Sequence, residues 1–233
     1  ECPGYVVDDV QRIIELKPNE TAQFVFTNTR KPSFKLIKTS ADGSLLDGVT
    51  FRIAKIEDGS RYLDRTTANG GEIFVEDLEP GMWSVTEIAT LPDHVLDTTE
   101  HHVELFPNKT SELRLSNDKK PLLTLSKIDA DSGTPIPNTV FTVKALDGTY
   151  QDDWKTGPDG KVSQIVDPGV YEVTEKSVPA PYYLPDKDAD RTQTITLSPN
   201  DEKTLTFRNR KAPELTIFKE NSITGEAIEH AKF

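Results

Sequence analysis

Three residue types that could react with one another recur at matching places in this chain. They are Lys38, Glu87 and Asn117 in one stretch, and Lys127, Glu175 and Asn209 in the next. Each ends a short apolar/polar alternation and lies on its apolar parity. Phe34, Leu36 and Lys38 match Leu123, Leu125 and Lys127; Trp83, Val85 and Glu87 match Tyr171, Val173 and Glu175; Leu113, Leu115 and Asn117 match Leu205, Phe207 and Asn209. Residues i, i+2 and i+4 of a strand share one face, so an amine, a carboxyl and an amide are all expected to point into a β core. Burying such groups is costly unless they satisfy one another.

Burial lowers the pKa of an amine and raises that of a carboxyl. A buried lysine can then be a neutral nucleophile beside a neutral glutamic acid. With the first and last strands side by side, Lys127 would face Asn209 and attack its side-chain carbonyl. Glu175 would hydrogen-bond and polarise that carbonyl, then pass protons to the departing ammonia, as general acid and base. Rigid placement supplies the effective concentration that an unactivated amide requires. The product is a Lys–Asn side-chain amide, formed once per domain, so this is self-modification without turnover. The plainer alternative is a hydrogen-bonded Lys–Glu–Asn network with no covalent outcome. Two complete sets in the same order and parity weigh toward chemistry.

The elements that must hold these residues repeat as well. A turn recurs as Leu16-Lys17-Pro18-Asn19, Leu105-Phe106-Pro107-Asn108 and Leu197-Ser198-Pro199-Asn200, each leading through an alternating run to an asparagine: Asn28, Asn117 and Asn209. The period of about 90 residues suits a small domain. Glu1 aligns with Glu87 and Glu175, and Phe233 with Phe51 and Phe141. Another opening strand is expected at Leu215, Ile217 and Lys219. The expected organisation is therefore the C-terminal part of one domain at 1–31, complete domains at 32–119 and 120–212, and the first strands of another at 213–233. In this scheme Glu1 and Asn28, and Lys219, belong to sets whose remaining members lie outside the chain. Short runs separated by Asp42-Gly43, Asn69-Gly70, Asp159-Gly160 and similar turns point to an all-β fold. The short polar joints imply a stiff rod.

The net charge of −12 argues against a nucleic-acid partner. The one cysteine, Cys2, excludes an internal disulfide framework. No stretch is apolar enough to insert in a membrane.

At these residues the chain resembles the CnaB-type domains of Gram-positive surface adhesins and pilins, also called SpaA-type prealbumin-like domains. Leu123–Gly133 is similar to the family's first strand, with Lys127 at its reactive lysine. Asp167–Glu175 is similar to its Gly-x-Tyr-x-x-x-Glu segment, with Glu175 at the catalytic acid. Leu205–Asn209 is similar to its last strand, with Asn209 at the acceptor; Lys38, Glu87 and Asn117 match in the same way. The aromatic Pro-x-Gly-Tyr segment that often follows the glutamate is kept at Cys2–Tyr5, partly kept at Pro179–Tyr182, and replaced by Leu91-Pro92-Asp93-His94 in the first full repeat. The resemblance implies β-sandwiches of about seven strands with a reversed immunoglobulin-like topology. It also implies a spontaneous isopeptide bond between first and last strands, and a cell-surface stalk or pilus shaft built of tandem domains.

A bond closing a loop of about 80 residues would contribute roughly 4 to 5 kcal/mol by chain entropy. It would also carry pulling force directly between the terminal strands, so that stretching could not extend the domain. Neighbouring repeats, and other subunits of a surface fibre, are the expected partners. No cofactor is implied, and no metal: Asp129, Asp131 and the Asp186, Asp188, Asp190 cluster lack EF-hand spacing and read as solvated turns. His101 and His102 are adjacent on a strand and face opposite sides. Trp154, though a surface aromatic could contact a ligand, is expected in the core or in strand pairing. Two other function classes remain: a module that itself binds a host or matrix ligand, and an accessory to an enzyme whose active site lies outside this chain.

Overall fold

The computed structural model describes residues 2–7, 11 and 13–230. Its main bodies are two seven-stranded β-sandwiches. The first contains β3 (Ser33–Ser40), β4 (Thr50–Lys55), β5 (Tyr62–Thr66), β6 (Glu72–Val75), β7 (Gly81–Ala89), β8 (His101–Leu105) and β9 (Thr110–Asn117); it follows a two-residue pair, β1 (Tyr5–Val6) with β2 (Thr29–Arg30). One sheet has the order β6-β3-β9 and the other β5-β4-β7-β8. The second sandwich contains β10 (Leu122–Asp129), β11 (Val140–Ala145), β12 (Gln151–Lys155), β13 (Lys161–Ile165), β14 (Gly169–Ser177), a one-turn helix α1 (Asp188–Arg191), β15 (Thr192–Leu197) and β16 (Glu202–Asn209). Its sheets run β13-β10-β16 and β12-β11-β14-β15, the same arrangement.

Alternation dictates this packing. Every second residue of β3 is buried, from Phe34 through Leu36 and Lys38 to Ser40. Facing it across the first core lie Phe51, Ile53, Trp83 and Val85. In both sandwiches the first and last strands are parallel neighbours. Lys38 lies opposite Leu115 and Ser40 opposite Asn117; Lys127 lies opposite Phe207 and Asp129 opposite Asn209. Lysine and asparagine are therefore offset diagonally by one pleat, rather than opposite each other. The reason is that the long lysine stem reaches forward along the strand, so its amine meets the residue two positions on.

The ends of the chain differ from the expected strands. Leu215, Ile217 and Lys219 form no strand, and beyond β1 and β2 the described residues before 33 form none either. Among the described residues their alternating runs have no second sheet to pack against, and Phe24, Phe26, Ile217 and Phe218 are exposed. Asn28 and Lys219 are exposed as well. Glu1 and Phe233 lie outside the described residues. Trp154 is buried, its indole N–H donating to Tyr150 Oη at 2.9 Å, which is the core role and excludes ligand contact.

Candidate functional site

Each sandwich buries one lysine, one glutamate and one asparagine at the end of its first-to-last strand ladder. All six side chains are at most 4 % exposed. In the second sandwich Lys127 Nζ donates to Asn209 Oδ1 at 2.5 Å and lies 2.9 Å from Glu175 Oε1. Asn209 Nδ2 donates to the same Glu175 Oε1 at 2.8 Å and to the Tyr183 carbonyl at 2.9 Å. In the first, Lys38 Nζ donates to Asn117 Oδ1 and lies 2.8 Å from Glu87 Oε2. Asn117 Nδ2 donates to Glu87 Oε1 at 2.6 Å and to Thr90 Oγ1 at 2.9 Å. The carboxyl thus touches the amide nitrogen, not the carbonyl oxygen expected from the residue types alone. An ionised carboxylate can only accept, so it takes the N–H donors and leaves Oδ1 to the lysine.

Burial pushes the Lys127 amine below its usual range and raises the Glu175 carboxyl, in each case against the pull of the partner. Aromatic rings provide the dry surroundings. Phe51 and Phe141 sit opposite Glu87 and Glu175 on the neighbouring strand. Lys38 Nζ is 5.4 Å from the Phe51 ring centre, and Phe141 packs on Phe207 at 4.7 Å. A β-bulge adjoins each glutamate. The β4/β7 register shifts between Thr50 and Phe51, and the β11/β14 register between Val140 and Phe141. The extra residues, Ile88 and Lys176, face outward, which keeps the preceding carboxylate on the core face.

Two supports of the site were not singled out by residue type. The first is a glycine behind each lysine. The carbonyls of Gly71 and Gly160 accept from the backbone N–H of Lys38 and Lys127, both at 2.8 Å. Both have positive φ, +72° and +69°, and a Cβ on either would strike the carbonyl of the lysine it backs. Turn composition marks these as turns, and only the tertiary contact shows what they hold.

The second is a polar ring tip that closes over the end of the first strand. Tyr182 Oη donates to Asp129 Oδ2 at 3.0 Å. His94 Nε2 pairs with Ser40 Oγ at 3.1 Å and its Nδ1 with Asp93 Oδ1 at 2.8 Å. Both rings come seven residues after the glutamate, so the histidine takes the aromatic's place in the first sandwich. Asp129 is a correction to the solvated-turn reading. It is buried, and it accepts from the backbone N–H of Asp131 and Ser132, both at 2.9 Å. Those donors, with the Tyr182 hydroxyl, hold its pKa down at about 2. Asp131, Asp186, Asp188 and Asp190 are exposed. Among the described residues no group of three or more His, Cys, Asp or Glu side chains is arranged to hold a metal ion, and no helix is long and apolar enough to cross a membrane.

An open surface depression is lined by Tyr183, Lys187, Arg208 and, of the second triad, Asn209.

No curated protein matches the chain in sequence. Among solved structures it is similar to the shaft pilin SpaA from Lactobacillus rhamnosus GG, at 12 % identity over 80 % of this chain and all of that one, with a TM-score of 0.50. It is also similar to a streptococcal ancillary pilin, at 20 % identity over 90 % of this chain and 75 % of that one, TM-score 0.45. A third similar structure is the Bacillus anthracis TIE protein, at 24 % identity over 78 % of this chain, TM-score 0.42; the chain spans about a third of that protein's length (34 %). The model of the SpaA prealbumin-like fold domain matches twice, over residues 32–119 and 122–211. Those two matches take in more than half of the sequence, and the chain belongs to the SpaA prealbumin-like fold domain family.

Proposed function

We propose that this chain is a structural segment of a bacterial cell-surface fibre or adhesin stalk, whose domains at 32–119 and 120–212 crosslink themselves. The bonds are Lys38–Asn117 and Lys127–Asn209, promoted by Glu87 and Glu175. The observation that carries the reading is the duplicate buried triad, with the amine and the leaving nitrogen both held on one carboxyl group. Membership of the SpaA prealbumin-like fold domain family and the likeness to a shaft pilin support the setting.

The reaction begins when a proton passes from the lysine ammonium to the glutamate, giving the neutral pair that burial favours. The freed Nζ lone pair attacks Cγ of the asparagine, and the carbonyl π electrons move onto Oδ1. Glutamic acid gives its proton to Nδ2 and takes one from the attacking nitrogen. As the Cγ–Nδ2 bond breaks, the carbonyl re-forms and ammonia departs. The carboxyl is left protonated and returns to carboxylate when it gives that proton to the departing ammonia, which leaves as ammonium; the product is a neutral amide where a buried charge had been. Each domain reacts once, so the chain is not an enzyme in the turnover sense. An amide is inert to reductants, which suits two domains that contain no cysteine.

The test is the intact mass of the chain under denaturing conditions. A deficit of two ammonia molecules is expected, with the crosslinked peptides mapping to the two Lys–Asn pairs. A mass equal to that of the sequence would leave the triads as hydrogen-bonded networks and remove the covalent part of the proposal.

A further inference from the structure

The asparagine of the repeated Leu-x-Pro-Asn turn is unexplained by the crosslinking triad, yet it makes the same contact twice. Asn108 stands just before β9, at φ +63°. Its side-chain Oδ1 accepts from the backbone N–H of Arg30 at 3.0 Å, and its own N–H donates to the Arg30 carbonyl at 2.9 Å. Asn200 stands just before β16, at φ +65°. Its Oδ1 accepts from the N–H of Lys119 at 2.8 Å, and its N–H donates to the Lys119 carbonyl at 2.8 Å. Arg30 precedes Lys38 by eight residues, as Lys119 precedes Lys127; Asn108 precedes Asn117 by nine, as Asn200 precedes Asn209. Each clasp therefore lies at one end of a parallel ladder whose other end holds the reacting pair.

We infer that Asn108 and Asn200 are positioning residues, which set the register of the first and last strands and so bring lysine and acceptor asparagine together. The inference rests on the crosslinking reading above.

The need for such a device follows from the strands themselves. A slip of one residue would turn Leu113, Leu115 and Asn117 outward, and burial forbids it. A slip of two preserves parity. Leu113 and Leu115 would still face the core, so the apolar pattern does not discriminate against it. Yet such a slip moves Asn117 along the ladder by about 6.6 Å, two strand rises, which takes it out of reach of Lys38 Nζ. The clasp discriminates where hydrophobicity does not. A turn residue in left-handed conformation, with an acceptor on its side chain, pairs with only one residue of the incoming chain. Asparagine meets both requirements, since it tolerates positive φ and carries an amide oxygen.

The experiment follows crosslinking in the full chain after pulsed cell-free synthesis, with samples quenched in denaturant and each domain read by peptide mass. Amide exchange of β3 and β9 is measured alongside. Asn108→Gly keeps the turn conformation and removes the acceptor; Asn108→Asp keeps both. The glycine variant is expected to form Lys38–Asn117 about three- to tenfold more slowly, the effect of one hydrogen bond, with Lys127–Asn209 unchanged and the aspartate variant close to the wild-type rate. Wild-type kinetics in Asn108→Gly would overturn the inference, as would an aspartate variant as slow as the glycine one. A wild-type chain that never loses ammonia would refute the crosslinking reading instead. Exchange would then decide the register claim: faster exchange along β3 and β9 in Asn108→Gly alone supports it, and unchanged exchange overturns it.

Discussion

Replacing Glu175 with glutamine changes the one group on which the proposed chemistry turns while leaving the shape of the core in place. Glu175 Oε1 receives Lys127 Nζ at 2.9 Å and Asn209 Nδ2 at 2.8 Å. A glutamine keeps an acceptor there, but it can neither take the lysine proton nor return one to the leaving nitrogen. The second domain should fold and remain uncrosslinked, so Glu175→Gln should lose one ammonia where the wild type loses two. The energetic consequence can be worked from the loop. Lys127 and Asn209 are separated by 82 positions, and closing a loop of that length removes about 4.5 kcal/mol of denatured-state entropy by the chain-entropy relation. For a domain of this size, that corresponds to a fall in melting temperature of about 20–35 °C. The buried amine, left without its carboxylate, adds to the loss. Intact mass and calorimetry of the full chain read both quantities. The first domain, with its own Lys38–Glu87–Asn117 set, is the internal control and should keep its transition. Loss of two ammonias by the variant would show that the carboxyl is not required. A missing crosslink with an unmoved second transition would show that the loop-closure argument is wrong.

Asp129 predicts an acid-sensitive term in the second domain. Its pKa falls from 3.8 to about 2 on folding, so the folded state favours the ionised form. That contribution is present above about pH 4 and is lost as pH falls toward 2. Asp129→Asn should therefore flatten the pH dependence of the second-domain melting temperature between about pH 4 and 2; an equally steep variant would remove Asp129 from the explanation. Gly160→Ala should cost about 1–3 kcal/mol, the range for a residue forced into left-handed backbone. Its Cβ would sit 2.6 Å from the Lys127 carbonyl, so Lys127–Asn209 formation should slow as well. A variant with wild-type stability and crosslinking rate would show that the lysine strand needs no backing at this point.

The residues of the site were legible because their chemistry conflicts with their pattern. Lysine, glutamate and asparagine at the ends of apolar alternations have no good reason to be there unless they meet. The sandwich of about seven strands followed only from the family resemblance, whereas the all-β class was legible from alternation and turn spacing. The diagonal offset was not, because parity identifies a face and not a register: Lys127 opposite Phe207 and Lys127 opposite Asn209 obey the same alternation. The carboxyl's choice of the amide nitrogen was hidden because it depends on which group carries the proton. The terminal runs form no strand for a related reason. Leu215, Ile217 and Lys219 alternate as a first strand should, but alternation predicts a strand only where a facing sheet gives the apolar side somewhere to go. His94 is visible in the sequence only as a departure from the aromatic segment; its role is hidden because the signal is positional, seven residues after the glutamate, and its residue type differs from the tyrosine of its counterpart.

The parallel pairing of first and last strands gives the position of the triad its mechanical sense. In the first domain the chain enters at the start of β3 and leaves at the end of β9, and because these strands are parallel the two points lie at opposite ends of one ladder. Force on the chain therefore shears the ladder along its length, rather than opening it from one end as it would an antiparallel pair. Lys38 stands two residues before the end of β3, and Asn117 is the last residue of β9. The proposed covalent bond between them would let load run along β3, cross once and leave, bypassing every strand from β4 to β8. Placed at the entry end instead, next to the Asn108 clasp, the same bond would put the whole of β9 in the load path. A bond at either end of the ladder would spare the strands between; at the exit end, where both domains bury their lysine, glutamate and asparagine, the one strand left in the load path is the first.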